Sequence, residues 1–372
     1  MNIRPSSFEI SPASTAAHIR LPVALSLPVE APHISAETAR RWNAMERIAG
    51  KLKHRFDDEY TLRQFDYVQP LRLQRGVPMR LRKIYSVPVI YTDWGRPDAP
   101  VLLCCGGIAN SALRFAFLAS ELRHHFRIIC MDWLGRGHSG WLAHECEYTQ
   151  DAMVEQMRQM ILHLGASDVT VLGSSLGGNV AIDLAARHPK LIRRLILNDS
   201  GPFIPRKRRK RRAETLSRFH VFRIPEDMKR RIGAAQKNDG PISDDIRLFI
   251  SWQQTRWSNE DQGRIYRYDM RAMHAYHRDA QHDLDQWKQW QRVKCPVLAI
   301  HGLESDALLH DTIRRMQKNR PVTVMHVPDT GHTPVLCDRN QIYFIRQWLL
   351  ETELAVGEWS TLHHPLRDIW IK

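Results

Sequence analysis

The amino-acid sequence predicts an α/β protein whose mostly parallel, doubly wound sheet is interrupted by a helical insertion. Short apolar runs alternate with helix-compatible stretches over residues 76–202, and the same alternation resumes over residues 293–352. The intervening residues 203–292 are rich in Arg, Gln, Trp and Tyr at helical spacing and contain no clear buried strand. Alternating strands and helices imply a parallel sheet that helices cover on both faces.

The individual elements follow from hydrophobic periodicity and segment length. Strands are predicted at residues 84–94, 101–105, 127–132, 169–172, 195–199, 295–301 and 322–327. Helices are predicted at residues 111–124, 151–164, 176–187, 309–318 and 340–352.

The remaining segments define the predicted domain organisation. Residues 1–75 are predicted to be an N-terminal extension, partly disordered or helical, with a helix over residues 37–53. Residues 353–372 are predicted to form a C-terminal tail. Because residues 203–292 enter between two strands, we expect them to form a cap over the carboxyl ends of the strands, where open α/β sheets bind ligands.

Composition excludes several classes of protein. The apolar content of 43% is that of a globular chain, and no stretch approaches the roughly 18 consecutive apolar residues of a membrane span. Prolines at positions 5, 12, 22 and 28 interrupt any apolar core of a secretory signal. The six cysteines lack C-x-x-C spacing, which argues against a zinc site or a disulfide framework. A reducing, cytoplasmic location is therefore expected.

Residues 206–212 are seven consecutive cations within a chain of net charge +14. Such a run either is a solvated segment or contacts an anionic membrane surface, nucleic acid or an acidic partner. No zinc finger, aromatic RNA-binding motif or recognition helix accompanies it, so we expect no nucleic-acid partner. Peripheral contact with an anionic membrane remains the alternative to a solvated segment.

A glycine-flanked serine is the most informative motif. Ser175 lies in Gly173-Ser174-Ser175-Leu176-Gly177, between an apolar run and a helix-compatible stretch. G-x-S-x-G between a strand and a helix is the signature of a nucleophile elbow, a strained turn that lifts the serine hydroxyl above the sheet. The sequence therefore predicts that Ser175 is a nucleophile.

A nucleophilic serine needs a base, and the base needs an acid that orients it. His332, in Asp329-Thr-Gly-His332, follows one predicted strand, and Asp306 follows the preceding one. This order of serine, aspartate and histidine predicts His332 as the base and Asp306 as the acid. Two other acids remain open: Asp199, at the end of an earlier strand, and Glu304, on the same loop as Asp306.

With these residues the chain resembles the capped serine hydrolases of the α/β-hydrolase superfamily over residues 84–350. Three further segments carry the resemblance: residues 105–108, the D-x-x-G-x-G-x-S run at residues 132–139, and Gly331-His332. The resemblance implies that the backbone N–H groups of Ile108 and Leu176 form the oxyanion hole. It also implies a small-molecule ester or other acyl substrate, and chemistry that needs no metal or organic cofactor.

One position departs from the family pattern, because Gly106 stands where relatives commonly have histidine in a His-Gly pair. The oxyanion hole uses backbone donors, so this change affects the side-chain contacts of the loop and not the donors. Asp132, in the D-x-x-G-x-G-x-S run, is expected to be structural and to hold its turn by accepting backbone N–H bonds.

The resemblance implies three hypotheses about function. The first is a carboxylic-ester hydrolase that forms an acyl-enzyme on Ser175. The second is a carbon–carbon bond hydrolase of a vinylogous diketone, which the lack of an arginine near the elbow disfavours. The third is a non-catalytic binding module of the same fold, which the intact Ser175, Asp306 and His332 disfavour. Thioester and amide cleavage also remain open.

Overall fold

A computed structural model describes residues 34–235, 239–351 and 357–360 of the chain. In chain order, the strands are β1 (Tyr60–Gln69), β2 (Tyr85–Trp94), β3 (Val101–Cys105), β4 (Arg127–Met131), β5 (Val169–Ser174), β6 (Ile192–Asn198), β7 (Phe203–Ile204), β8 (Val221–Phe222), β9 (Thr255–Ser258), β10 (Gly263–Tyr266), β11 (Leu284–Asp285), β12 (Val297–Gly302), β13 (Thr323–Val327) and β14 (Glu358–Ser360). The helices are α1 (Ala36–Phe56), α2 (Ala116–Leu122), α3 (Gln150–His163), α4 (Leu176–Arg187), α5 (Arg206–Leu216), α6 (Pro225–Ala235), α7 (Asp244–Gln253), α8 (Met270–Asp279), α9 (Trp287–Arg292), α10 (His310–Asn319) and α11 (Arg339–Leu350).

The main sheet has nine strands within the described ranges, in the order β1-β2-β4-β3-β5-β6-β12-β13-β14. From β4 to β14 every neighbouring pair is parallel, while β1 and β2 pair antiparallel with each other and β2 pairs antiparallel with β4. The predicted α/β class with a mostly parallel sheet is therefore confirmed.

Helices cover both faces of the sheet because side chains alternate along each strand. On β3, Leu103 packs on one face in a cluster with residues of α3, α4 and α10, including Met157. Its neighbours Leu102 and Cys104 pack on the other face with residues of α2 and α11. Because both faces are buried, the central strands are continuous apolar runs.

The predicted boundary of the N-terminal extension is wrong. A helix does form where residues 37–53 predict one, but the following β1 pairs with β2 over its full length and belongs to the main sheet. Its terminal part alternates between exposed and buried side chains, from Asp66 to Gln69, as a half-buried edge strand does. Residues 1–33, the first part of the predicted extension, lie outside the described residues.

Helix α1 joins the insertion to the sheet domain. Its Trp42 is fully buried and lies 6.2 Å from Trp257 and 6.3 Å from Trp252 between ring centroids. At the other end of the helix, Phe56 packs against Phe117 and the helices beneath the sheet. One helix thus contributes to two hydrophobic clusters.

Replacing Trp42 with alanine should lower the free energy of unfolding by about 3–5 kcal/mol, the usual cost of removing a large buried aromatic side chain. Urea denaturation followed by circular dichroism measures this change. Lys51→Ala on the same helix is the control, since Lys51 is exposed. Equal stability of the two variants would contradict the packing role of Trp42.

The segment predicted as a helical cap contains helices α5 to α9 and also β7 to β11. Strands β8, β10 and β9 form a three-stranded antiparallel sheet, and β7 pairs with β11. The prediction of a helical insertion without a clear strand is therefore wrong. Strands of two to four residues are too short to show an alternating pattern in the sequence.

The predicted C-terminal tail also includes a strand of the main sheet, since β14 pairs in parallel with β13. Residues 352–356 and 361–372 lie outside the described residues. In the part of the chain that is described, no helix is both long and apolar enough to cross a membrane.

Candidate active site

Ser175 occupies a strained turn between β5 and α4. Its backbone has φ 52° and ψ −116°, a conformation that non-glycine residues rarely adopt and that concentrates at functional sites. A Cβ atom at Gly177 would lie 2.2 Å from the carbonyl oxygen of Cys105, and one at Gly173 would lie 2.5 Å from the backbone of Gly177. The two glycines therefore allow the close approach that this turn needs.

Ser175, His332 and Asp199 form a continuous hydrogen-bonded chain. Ser175 Oγ lies 2.8 Å from His332 Nε2, and His332 Nδ1 lies 2.6 Å from Asp199 Oδ2. The three residues follow β5, β13 and β6, whose carboxyl ends meet at one edge of the sheet. The arrangement brings a hydroxyl, an imidazole and a carboxylate into the relation of a nucleophile, a base and an orienting acid.

The prediction that Asp306 accompanies His332 is wrong. The side chain of Asp306 is 45% exposed and pairs with Arg208 at 3.3 Å and with Arg211, both on α5. Asp199 has the position instead, since it follows β6 directly and its buried carboxylate lies 2.6 Å from His332 Nδ1. Asp306 comes four residues after β12, one strand further away, where its loop faces the insertion.

Glu304, the other acid considered, is exposed. The loop that carries it contributes a residue that the sequence motifs did not identify, Ser305. Its hydroxyl donates a hydrogen bond to Asp199 Oδ2 at 2.6 Å, and the N–H of Gly302 donates to Asp199 Oδ1 at 3.1 Å. Asp199 is thus held on both oxygens.

Burial shifts the pKa values of Asp199 and His332 in opposite directions. The side chain of Asp199 has no exposed surface, and burial raises its pKa to about 7. Burial also lowers the pKa of His332 well below its usual range, and the nearby cations Arg208 and Arg212 lower it further. Burial thus disfavours the charged form of both groups, while the hydrogen bonds from Ser305 and Gly302 to Asp199 act against this effect.

The two residues predicted to supply the oxyanion donors, Ile108 and Leu176, line the same cavity as Ser175. Leu176 is the first residue of α4, where a backbone N–H has no partner inside the helix. The loop of Ile108 is held by Arg136, whose Nε donates to the Ile108 carbonyl at 3.1 Å, and by Trp133, whose Nε1 donates to the Gly106 carbonyl at 2.9 Å.

Asp132 supports the neighbouring turn, as its sequence pattern predicts. Its Oδ1 accepts from the N–H of Ala112 at 2.7 Å, and its Oδ2 accepts from the N–H of His138 at 2.9 Å. The structural role expected for Asp132 is confirmed by these two bonds.

A cavity of about 1290 Å³ separates the sheet from the insertion and includes Ser175 and His332 in its lining. Its apolar and aromatic side chains include Phe222, Tyr268 and Tyr276 from the insertion. Its charged side chains are nine arginines and four aspartates, so cations outnumber anions. No group of three or more His, Cys, Asp or Glu side chains suited to hold a metal occurs among the described residues.

The basic run at residues 206–212 forms the first two turns of α5. Arg208, Arg209, Arg211 and Arg212 line the cavity, whereas Lys207 is exposed. The run is therefore neither a loop nor uniformly solvated. Contact with a membrane through it remains a prediction.

Three comparisons relate the chain to known proteins. A family model described as alpha/beta hydrolase fold matches residues 100–336. The chain is 29% identical over 269 residues to a 3-hydroxybutyrate-oligomer hydrolase of Cupriavidus necator, which covers 69% of this chain and 91% of that protein.

Solved structures show the same fold. A putative hydrolase from Rickettsia typhi superposes with a TM-score of 0.69 at 22% identity, covering 78% of this chain and 98% of that one. An E-2-(acetamidomethylene)succinate hydrolase gives a TM-score of 0.62 at 20% identity, covering 77% and 99%.

Proposed function

This chain belongs to the alpha/beta hydrolase family, and from that premise we propose that it is a serine hydrolase that cleaves carboxylic esters. The observation that carries the proposal is the hydrogen-bonded chain from Ser175 through His332 to Asp199, with heavy-atom distances of 2.8 and 2.6 Å. A nucleophile within hydrogen-bond reach of its base, which a third group orients, is the arrangement that activates a serine hydroxyl.

In the proposed reaction, Ser175 Oγ attacks the acyl carbon while His332 Nε2 takes the hydroxyl proton. The tetrahedral intermediate collapses, the C–O bond of the ester breaks, and His332 returns the proton to the departing alcohol. Water then attacks the acyl-enzyme, again losing a proton to His332, and the acid is released with Ser175 restored. Asp199 accepts the Nδ1–H bond throughout and stabilises the imidazolium that forms in each step.

The N–H groups of Ile108 and Leu176 are proposed to stabilise the oxyanion of both tetrahedral intermediates. Fixed donors of this kind are worth several kcal/mol, about 2.7–4 for one donor in a protease. The bond from Arg136 to the Ile108 carbonyl supports the proposal, because it fixes the peptide segment that carries one of the two donors. Arg136 is accordingly a positioning residue.

An ester substrate is favoured over other acyl compounds by the relative named 3-hydroxybutyrate-oligomer hydrolase. The units of such an oligomer are joined by ester bonds. The cavity of about 1290 Å³ exceeds the roughly 300–1,000 Å³ of a pocket for one drug-sized ligand. We therefore infer that the substrates are short oligoesters of hydroxy acids, several units of which fit beneath the insertion.

The lack of an arginine near the elbow was the argument against carbon–carbon bond hydrolysis. Arginines from α5 line the same cavity, so this argument loses its force. Hydrolysis of a vinylogous diketone therefore remains the second candidate, and direct assay of such a substrate separates the two.

We expect the protein to hydrolyse p-nitrophenyl esters in a series from acetate to palmitate, and to release 3-hydroxybutyrate from its linear oligomers. A fluorophosphonate should add to the peptide containing Ser175, as mass spectrometry detects, and should abolish turnover. Labelling should be prevented by prior denaturation. If the protein hydrolyses none of these esters, the proposal is contradicted and the carbon–carbon alternative is favoured.

A further inference from the structure

The cavity that contains Ser175 has an excess of cations, and α5 supplies four of its nine arginines. This placement is costly for the helix. Cations in a first turn oppose the helix dipole, and cations three or four residues apart repel each other. The first turn of α5 has no acidic residue. Because the sequence of α5 disfavours an isolated helix, we ask which contacts of its arginines stabilise it in the folded protein.

Most of these arginines have acidic partners. Arg208 and Arg211 pair with Asp306, and Arg209 pairs with Asp279. Their charges are used in joining α5 to the sheet domain and to α8. These ion pairs account for three of the four α5 arginines that line the cavity.

Arg212 is the exception. Its side chain is half-buried, and burial lowers its pKa. Within the described residues it makes no ion pair or hydrogen bond with an acidic side chain. The nearby Asp239 is instead bonded to Arg114 at 3.2 Å. A half-buried guanidinium that no carboxylate contacts is favoured less than a paired one, so a bound anion would stabilise it.

Arg212 lines the same cavity as Ser175 and His332. Its positive charge also contributes to the lowered pKa of His332. An anion bound to Arg212 is therefore part of the same molecule that reaches Ser175, or competes with it.

We propose that Arg212 binds a free carboxylate of the substrate, so that the enzyme prefers esters that carry a terminal carboxylate to the same esters with that carboxylate capped. The inference rests on the proposed ester hydrolysis and names the substrate class. A guanidinium suits this task because it stays charged and can bind both oxygens of a carboxylate.

Two matched pairs of substrates test the proposal. One pair is the linear dimer of 3-hydroxybutyrate and its methyl ester, where the carboxylate lies on the alcohol product. The other is mono-p-nitrophenyl glutarate and its methyl ester, where the carboxylate lies on the acyl product. The wild type should show a higher kcat/KM for the free acid in at least one pair.

Arg212→Gln should lower kcat/KM for that free acid by about 10- to 100-fold, mainly through KM, as expected for one hydrogen-bonded charge pair. The loss on the capped ester should be clearly smaller than the loss on the free acid, and an unchanged circular dichroism spectrum and thermal midpoint show that the variant folds. Lys207→Gln is the matched control, because it removes one charge from the same helix at a residue outside the cavity lining.

The outcomes separate the inference from the proposed function. Equal use of free and capped esters by the wild type, or equal losses on both in Arg212→Gln, would overturn the role of Arg212 and leave ester hydrolysis standing. A comparable loss of kcat/KM in Lys207→Gln would mean that the effect comes from the net charge of α5, and it would also overturn the binding role of Arg212. If the wild type cleaves no ester, the proposed function itself fails.

Discussion

Ser175→Ala is expected to reduce kcat for ester hydrolysis by about 10⁶, the loss measured when the nucleophile of a protease triad is removed. The variant keeps the Ile108 and Leu176 segments and the cavity, so some catalysis over the uncatalysed reaction should remain. The cause is chemical, since an alanine methyl group can neither attack the acyl carbon nor transfer a proton to His332. Product release from p-nitrophenyl butyrate at high enzyme concentration measures the residual rate.

The thermal midpoint of Ser175→Ala is the control for folding. We expect it to equal or exceed that of the wild type, since the substitution removes no buried packing and leaves the strained turn in place. A loss of turnover of only about tenfold would mean that Ser175 is not the nucleophile, because removal of a triad serine costs far more.

Asp199→Asn is expected to lower kcat by about 10⁴, the effect of the same change in a serine protease triad. The carboxylate accepts the Nδ1–H of His332 at 2.6 Å, which leaves Nε2 free to take the proton of Ser175. An asparagine amide can donate to Nδ1 instead, which favours the tautomer with its proton on Nε2. Steady-state kinetics on a p-nitrophenyl ester, with KM determined separately, measures the loss.

Asp306→Asn serves as the comparison. It removes the ion pairs with Arg208 and Arg211 and leaves the bond between His332 and Asp199 intact, so its effect on kcat should be less than about tenfold, in keeping with the small value of exposed ion pairs. A larger loss in Asp306→Asn than in Asp199→Asn would contradict the assignment of the acid made from geometry.

The sheet and two members of the hydrogen-bonded chain, Ser175 and His332, were predictable because their signals are local. Ser175 is identified by five consecutive residues between a strand and a helix, and His332 by its position after a late strand. Asp199 and Asp306 both follow strands, so sequence order alone does not separate them. The choice depends on which carboxylate the folded loops bring to His332, and Asp306 is instead held by arginines of the insertion.

Other features escaped prediction for different reasons. Strand β1 has alternating buried residues only in its second half, and the strands of the insertion are too short to show a period. The basic run at residues 206–212 indicates a charged segment, but no pattern in it separates Arg212 from Arg208 and Arg211. Arg208 and Arg211 share an acidic partner, whereas Arg212 pairs with none of the acidic side chains that the structure describes. That difference arises from the position of Asp306 in three dimensions.

The loop after β12 connects two parts of the molecule that were described separately. Ser305 holds the carboxylate of Asp199, and the next residue, Asp306, holds α5 through Arg208 and Arg211. The backbone between these two adjacent residues therefore fixes one end of α5 relative to the Asp199 carboxylate. A single short loop thus sets both the wall of the cavity and the position of the acid beside His332.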